Sequence, residues 1–181
     1  MKRALLFMIL TFVTLLATAK GVYLTTDQFL ELAFTQKGID KKVEKKSLWL
    51  DKSIKQTASA ILDRPYHGLR VRYWVQGSDT AWILEEIGKE KPITIGVHIH
   101  NNAIASLRVL EFRESRGGEV RHSFFTEQFD NISLTSENRL DAAVDGVTGA
   151  TLSVWAVKKV ARLALYFHQL TPYAQKTNTS Q

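Results

Sequence analysis

Apolar positions recur at two different periods along the chain, and the change of period divides it into helical openings, a block of strands and a closing helix. Phe29, Leu30, Ala33 and Phe34 follow a helical spacing behind Thr25-Thr26-Asp27-Gln28, which has the form of a helix-capping sequence. Gly38 is expected to end that helix. Lys46 to Leu50 reads as a short strand, and Asp51 to Leu62 as a second helix with Ile54, Ala58, Ile61 and Leu62 on its apolar stripe. Pro65 and Gly68 close that helical stretch.

The period then falls to that of strands. Leu69 to Gln76 and Ala81 to Ile87 are rich in aromatic and β-branched residues, with Gly77-Ser78-Asp79 as the turn between them. Pro92 to His100 and Ala103 to Phe112 form a second pair across Asn101-Asn102, residues that tolerate the positive φ of a tight hairpin. Ile104, Leu107, Val109 and Leu110 do not alternate strictly, so that strand's register is left open. Together these elements predict an α+β fold, an antiparallel sheet flanked by helices.

The strongest helical pattern comes last. From Leu152 the apolar residues Val154, Val157, Val160, Ala161, Ala164 and Phe167 share one side, and Lys158, Lys159, Arg162 and Gln169 take the other. Asp145-Gly146-Val147-Thr148-Gly149-Ala150-Thr151-Leu152-Ser153 opens into it. Thr148 is expected as the N-cap and Gly149 as a flexible link. The unpartnered N–H groups of such a helix start, with the positive end of its dipole, suit a phosphate. Read on residues alone, the same stretch is also an ordinary capped helix start.

Composition narrows the classes. The 181 residues, 45% hydrophobic, suit one domain with a core of its own. Lys2 and Arg3 precede an apolar run, Ala4 to Ala17, that is short for a membrane span, and Ala17-Thr18-Ala19 has the shape of a signal-peptidase site. Residues 1–19 are therefore expected to be a secretory signal, with an uncleaved N-terminal anchor as the rival, and the body of the protein is expected in the periplasm or elsewhere outside the cytoplasm. The chain has no cysteine, which excludes disulfides, thiolate metal sites, iron–sulfur clusters and c-type haem attachment. Loss of the leader lowers the formal charge of +6 by two. Lys41, Lys42, Lys45 and Lys46 gather part of the excess, as a solvated face or a patch for an acidic partner. Nucleic acid is not expected as a partner, and no Gly-x-Ser-x-Gly elbow, P-loop or Rossmann fingerprint occurs. His98 and His100 would share one face of a strand, but no third ligand is evident nearby, so no metal site is assigned.

Asp145-x-x-Thr148-Gly149-Ala150-Thr151 resembles the flavinylation motif of the FMN-binding domain family, whose members include the NqrC and RnfG subunits of bacterial ion-pumping redox complexes. The resemblance covers residues 92–170 and implies a single domain over 20–171, with a polar tail over 172–181 expected to lack fixed structure. It implies that Thr151 carries FMN through a phosphoester bond, installed by a flavin transferase that uses FAD. It also implies that Thr148, Gly149 and Ala150 belong to the cofactor site, and that Asp145 either helps the transferase or bonds the backbone of the turn. Glu114, Ser115 and Gly117 fit a loop that lines the flavin in that family, although Gly118 falls one place early for its second glycine. Phe124, Phe125 and Phe129 are expected as an apolar wall or as core, with core expected for at least two. Lys158, Lys159 and Arg162 are candidates to offset the phosphate charge. The expected function is an exported electron carrier with membrane-bound or periplasmic redox partners and no catalytic residues of its own. A flavin-sensing module and a plain interaction module are the alternatives.

Overall fold

The computed structural model describes residues 21–34 and 42–174. The leader, Gly38, Lys41 and residues 175–181 lie outside the described residues. Helix α1 (Thr26–Phe34) starts at the reciprocal cap foreseen above: Thr25 Oγ1 accepts from the N–H of Gln28 at 3.2 Å, and Gln28 Oε1 accepts from the N–H of Thr25 at 2.9 Å. Strand β1 (Glu44–Trp49) precedes α2 (Lys52–Leu62), whose first turn is closed by Asp51 accepting from the N–H of Ile54 at 2.8 Å. Four strands follow: β2 (Arg70–Gln76), β3 (Asp79–Ile87), β4 (Pro92–His100) and β5 (Ala103–Phe112). Three short helical turns, Gly118–Arg121, α3 (Ser123–Thr126) and Glu127–Phe129, lead to a long loop and to α4 (Thr151–Gln169).

The five strands form one antiparallel meander in the order β1-β2-β3-β4-β5. The fold is therefore α+β, as the pattern predicts. Asn101 and Asn102 carry φ of 50° and 64° in the β4–β5 turn, the backbone expected of them. Asp79 is not part of the preceding turn; it pairs with Gln76 and begins β3. The uneven pattern of the last strand has a structural reason. The pairing jumps from Thr94–Glu111 to Ile95–Val109, and from His98–Ser106 to Ile99–Ile104. Two extra residues in β5, Leu110 and Ala105, each invert the parity that an alternation test depends on.

One face of the sheet carries Ile93, Ile95, Val97, Ile99, Ile104 and Leu107, all fully buried beneath α4 and α2. Every apolar residue assigned to the inner side of α4 is buried there. Trp82 lies stacked on Tyr73 at 4.6 Å and tilted against Phe167 at 5.9 Å, which ties the helix to the strands. The opposite face is covered by α1 through Phe29, Ala33 and Phe34. Gly96 makes that contact possible, because a Cβ there would stand 2.7 Å from the Phe29 ring. Phe125 and Phe129 enter the main core edge to face, whereas Phe124 stays 58% exposed. Among the described residues no helix is long and apolar enough to cross a membrane.

Candidate functional site

The mouth of α4 is open. Thr151 is its first residue and is exposed. The N-cap is Ala150, with φ −119° and ψ 19°, and no side chain accepts from the first-turn N–H groups. This corrects the assignment of Thr148, which is exposed two residues ahead of the cap, beyond Gly149 at φ 80°. The turn is held by its own backbone instead: the Ala150 N–H donates to the Val147 carbonyl at 2.9 Å, and the Ala150 carbonyl accepts from Val154 at 2.9 Å. A Cβ placed on Gly149 would meet nothing within 4 Å, so space beside the turn is free. Donors at a helix start that no side chain satisfies, together with the local dipole, form a seat for an anion.

The loop after β5 reaches this mouth through one residue. Gly117 is buried at φ 83°, and a Cβ on it would stand 2.5 Å from Ser153 Oγ and 3.5 Å from the Ala150 Cα. Only glycine lets the loop lie so close to the helix. Ser115 is exposed and lines an open cleft of about 1020 Å³ together with Tyr23, Arg121 and His122. Glu114 lines the same cleft, and its Oε1 accepts from the N–H groups of Lys89, Glu90 and Lys91 at 2.6, 2.6 and 2.9 Å. Desolvation works against its charge, but those N–H groups outweigh it and hold the carboxyl below its ordinary range. Glu114 thus anchors the loop to the β3–β4 turn. Asp145 is exposed, and its N–H donates to Gln128 Oε1 at 2.7 Å, which fixes the chain entering the motif.

Lys158, Lys159 and Arg162 do not gather at the helix mouth. They donate to the carbonyls of Val144, Leu62 and Asn138 at 2.9, 2.8 and 2.8 Å, tying α4 to α2 and to the loop before the motif. Lys158 and Arg162 face a second groove of about 630 Å³, which also holds Trp155 and Val144.

A buried polar cluster escaped the sequence reading. Asp79 receives His98 Nε2 on one carboxylate oxygen at 3.0 Å and His100 Nδ1 on the other at 2.7 Å. His98 is buried and packs edge-on against Phe34, and desolvation lowers its pKa despite Asp79. Among the described residues no three His, Asp or Glu side chains are arranged to hold a metal ion. His168, also buried, holds Thr80 Oγ1 at 2.8 Å and Asn102 Oδ1 at 3.1 Å, and burial pushes its pKa down to about 4. Asp79 was hidden by its place in a Gly-Ser-Asp turn signal; the strand parity of His98 and His100 was the one available clue.

An antiparallel sheet backed by a helix whose open start presents a free hydroxyl defines a domain suited to hold a phosphate-bearing group. Residues 88–166 match the family model of the FMN-binding domain, and the chain carries that domain over this span. The match supports a flavin-binding protein with FMN as its cofactor. The match contains β4, β5, the Glu114–Gly118 loop, the motif and most of α4. No curated protein and no solved structure matches the chain.

Proposed function

We propose that this protein carries FMN covalently, through its phosphate on Thr151, and passes electrons within a redox chain outside the cytoplasm. The observation that carries the reading is the exposure of Thr151 at an uncapped helix start inside the matched span. A buried hydroxyl would have been closed to any modifying enzyme.

Thr151 has no general base among the hydrogen bonds described around it, so it is the acceptor in a reaction catalysed by a separate flavin transferase. Its Oγ forms the bond to the flavin-side phosphorus of FAD, the pyrophosphate bond breaks, AMP leaves, and the hydroxyl proton passes to a base of the transferase. Gly149 and Ala150 keep side-chain bulk away from the approaching nucleotide, and the first-turn N–H groups would hold the phosphodiester. Gly117 and Ser153 set the position of that first turn. Asp145, exposed ahead of it, is available to the transferase. When bound, the flavin supplies one- and two-electron chemistry, and the protein supplies its position and electrostatic surroundings. A covalent bond prevents loss of the cofactor where none can be replenished. The redox partners on this reading are membrane-bound or periplasmic proteins.

Expression of the full chain with and without an active flavin transferase, followed by intact-mass measurement, tests this. The expected result is a gain equal to FMN minus water, absent in Thr151→Ala. An unchanged mass beside an active transferase refutes it.

A further inference from the structure

The β1–β2 edge of the sheet carries a basic and aromatic face that the flavin site does not use. The pairing of the two strands sets Lys45 opposite Trp74, Ser47 opposite Arg72 and Trp49 opposite Arg70. Directly opposed residues share a face. Val71, Tyr73 and Val75 take the inner face, in the core beneath α2 and α4, so these three pairs look the other way. Lys45 Nζ lies 5.2 Å from the Trp74 ring and Arg70 Cζ 5.6 Å from that of Trp49, within cation–π range. A groove of about 620 Å³ between them is lined by Arg70, Arg72, Trp74 and Ile83. We propose that this face docks on the surface of a lipid bilayer that carries anionic headgroups.

The charge on this face is not cancelled within the domain. Among the described residues no carboxylate pairs with Lys45, Arg70 or Arg72. The carboxylates beside them are taken by others: Glu44 by Lys46 at 2.5 Å, and Glu85 by Thr94 at 2.7 Å and Arg113 at 3.6 Å. Basic residues on an edge strand have a plainer use, since they discourage pairing with a second chain. The tryptophans work against that use, because Trp49 leaves 67% of its surface in water. Indole and cation together match the headgroup layer, where the ring settles at the interface and a guanidinium grips phosphate. An acidic protein segment would match the cations but not the indoles. Position supports the same occupant. Helix α4, with Thr151 at its mouth, packs on the opposite face, and the Ser115 cleft opens beside β5 at the far edge of the sheet. A bilayer against β1 and β2 therefore leaves both open to a modifying enzyme and to redox partners.

The test titrates the full chain with vesicles of brominated phosphatidylglycerol or brominated phosphatidylcholine and follows quenching of tryptophan emission. Residues 1–20 contain no tryptophan, so the signal does not come from the leader. Phosphatidylglycerol should quench the parent, less so as salt is raised, and phosphatidylcholine should quench it little. Trp49→Ala should lose most of the quenching. Each cation near an anionic surface strengthens binding about fivefold. Arg70→Gln with Arg72→Gln should therefore raise the lipid concentration at half-quenching by at least about tenfold. Lys55→Gln with Arg139→Gln removes the same charge on the side of α2 and α4 and should have a much smaller effect. Urea midpoints equal to the parent's keep a folding defect from passing as lost binding. No quenching by phosphatidylglycerol overturns the inference and leaves an acidic protein as the partner of this face. Equal effects of the two double variants, or quenching lost in Trp155→Phe and kept in Trp49→Ala, also overturn it. None of these results bears on flavin attachment, which intact mass reads separately.

Discussion

Replacing Gly117 by Ala tests whether the loop after β5 sets the helix mouth. An alanine forced to φ 83° pays the left-handed penalty of about 1–2 kcal/mol. Its Cβ would also stand 2.5 Å from Ser153 Oγ and 3.3 Å from Ser153 Cβ, a distance that cannot persist, so loop or helix must shift. Overpacking of this kind costs roughly 1–3 kcal/mol, for a combined loss of about 2–5 kcal/mol. The two contributions separate in a double-mutant cycle. Ser153→Ala deletes the atom at 2.5 Å but leaves both the Cβ contact and the backbone strain. The double variant should regain about 1 kcal/mol relative to Gly117→Ala, whereas Ser153→Ala in the parent should cost less than about 1 kcal/mol. Urea unfolding at constant m-value measures all four corners. A Gly117→Ala variant within about 0.5 kcal/mol of the parent would refute the close approach, and additivity of the two changes would refute Ser153 as the obstacle.

Three more outcomes follow from buried or anchoring groups. His168 is held neutral, its folded pKa of about 4 lying below the ordinary 6.5, so its contribution is complete above about pH 6.5 and is lost as pH falls toward 4; the loss is at most about 3 kcal/mol, and urea midpoints measured across that window should flatten in His168→Gln. Glu114→Ala removes the acceptor of three N–H groups at a partly exposed turn and should cost roughly 1 kcal/mol by chemical denaturation, with Glu114→Gln costing less; because the folded carboxyl is held low, this contribution is present above the usual carboxylate pKa and lost as pH drops below it. Gly96→Ala should push Phe29 off the sheet, costing about 1–3 kcal/mol and raising hydrogen exchange in α1 above that in α4.

The parts of the fold legible in the sequence were those whose causes are local. The reciprocal cap at Thr25 and Gln28, the Asp51 start of α2, the paired asparagines and the apolar stripe of α4 all depend on neighbours within a turn or two. What could not be read depends on distant partners. Glu114 reads as a residue of a ligand-lining loop, and the three N–H groups it accepts from belong to a turn more than twenty residues earlier, which the loop's own sequence does not announce. Asp79 has the sequence context of a turn, and only the pairing of β3 with β4 brings it to two histidines. The bulges in β5 cannot be separated from a weak alternation without knowing its partner strand. At the site, the hydroxyl, the turn and the helix were legible, whereas the cap shifted from Thr148 to Ala150. A Thr-Gly-Ala-Thr run offers several plausible caps, and backbone geometry at Gly149 decides among them.

That shift bears on why the helix can begin without a cap at all. A good N-cap contributes about 1 kcal/mol. Against this, α4 buries an entire face, with Val157, Val160, Ala161, Ala164 and Phe167 fully enclosed, and each large apolar side chain so enclosed contributes about 1.5–3 kcal/mol. Packing therefore outweighs the missing cap several times over, and the carbonyl bonds of Lys158, Lys159 and Arg162 hold the helix in register from its outer side. Stability and ligand seat are thereby separated along one element. The lower turns fix α4 to the sheet, and the first turn keeps its N–H groups unclaimed by any side chain beside an exposed threonine. A cap at Ala150 would satisfy the same donors that a phosphate needs, so an uncapped start is stable here because the stabilising contacts lie further down the helix.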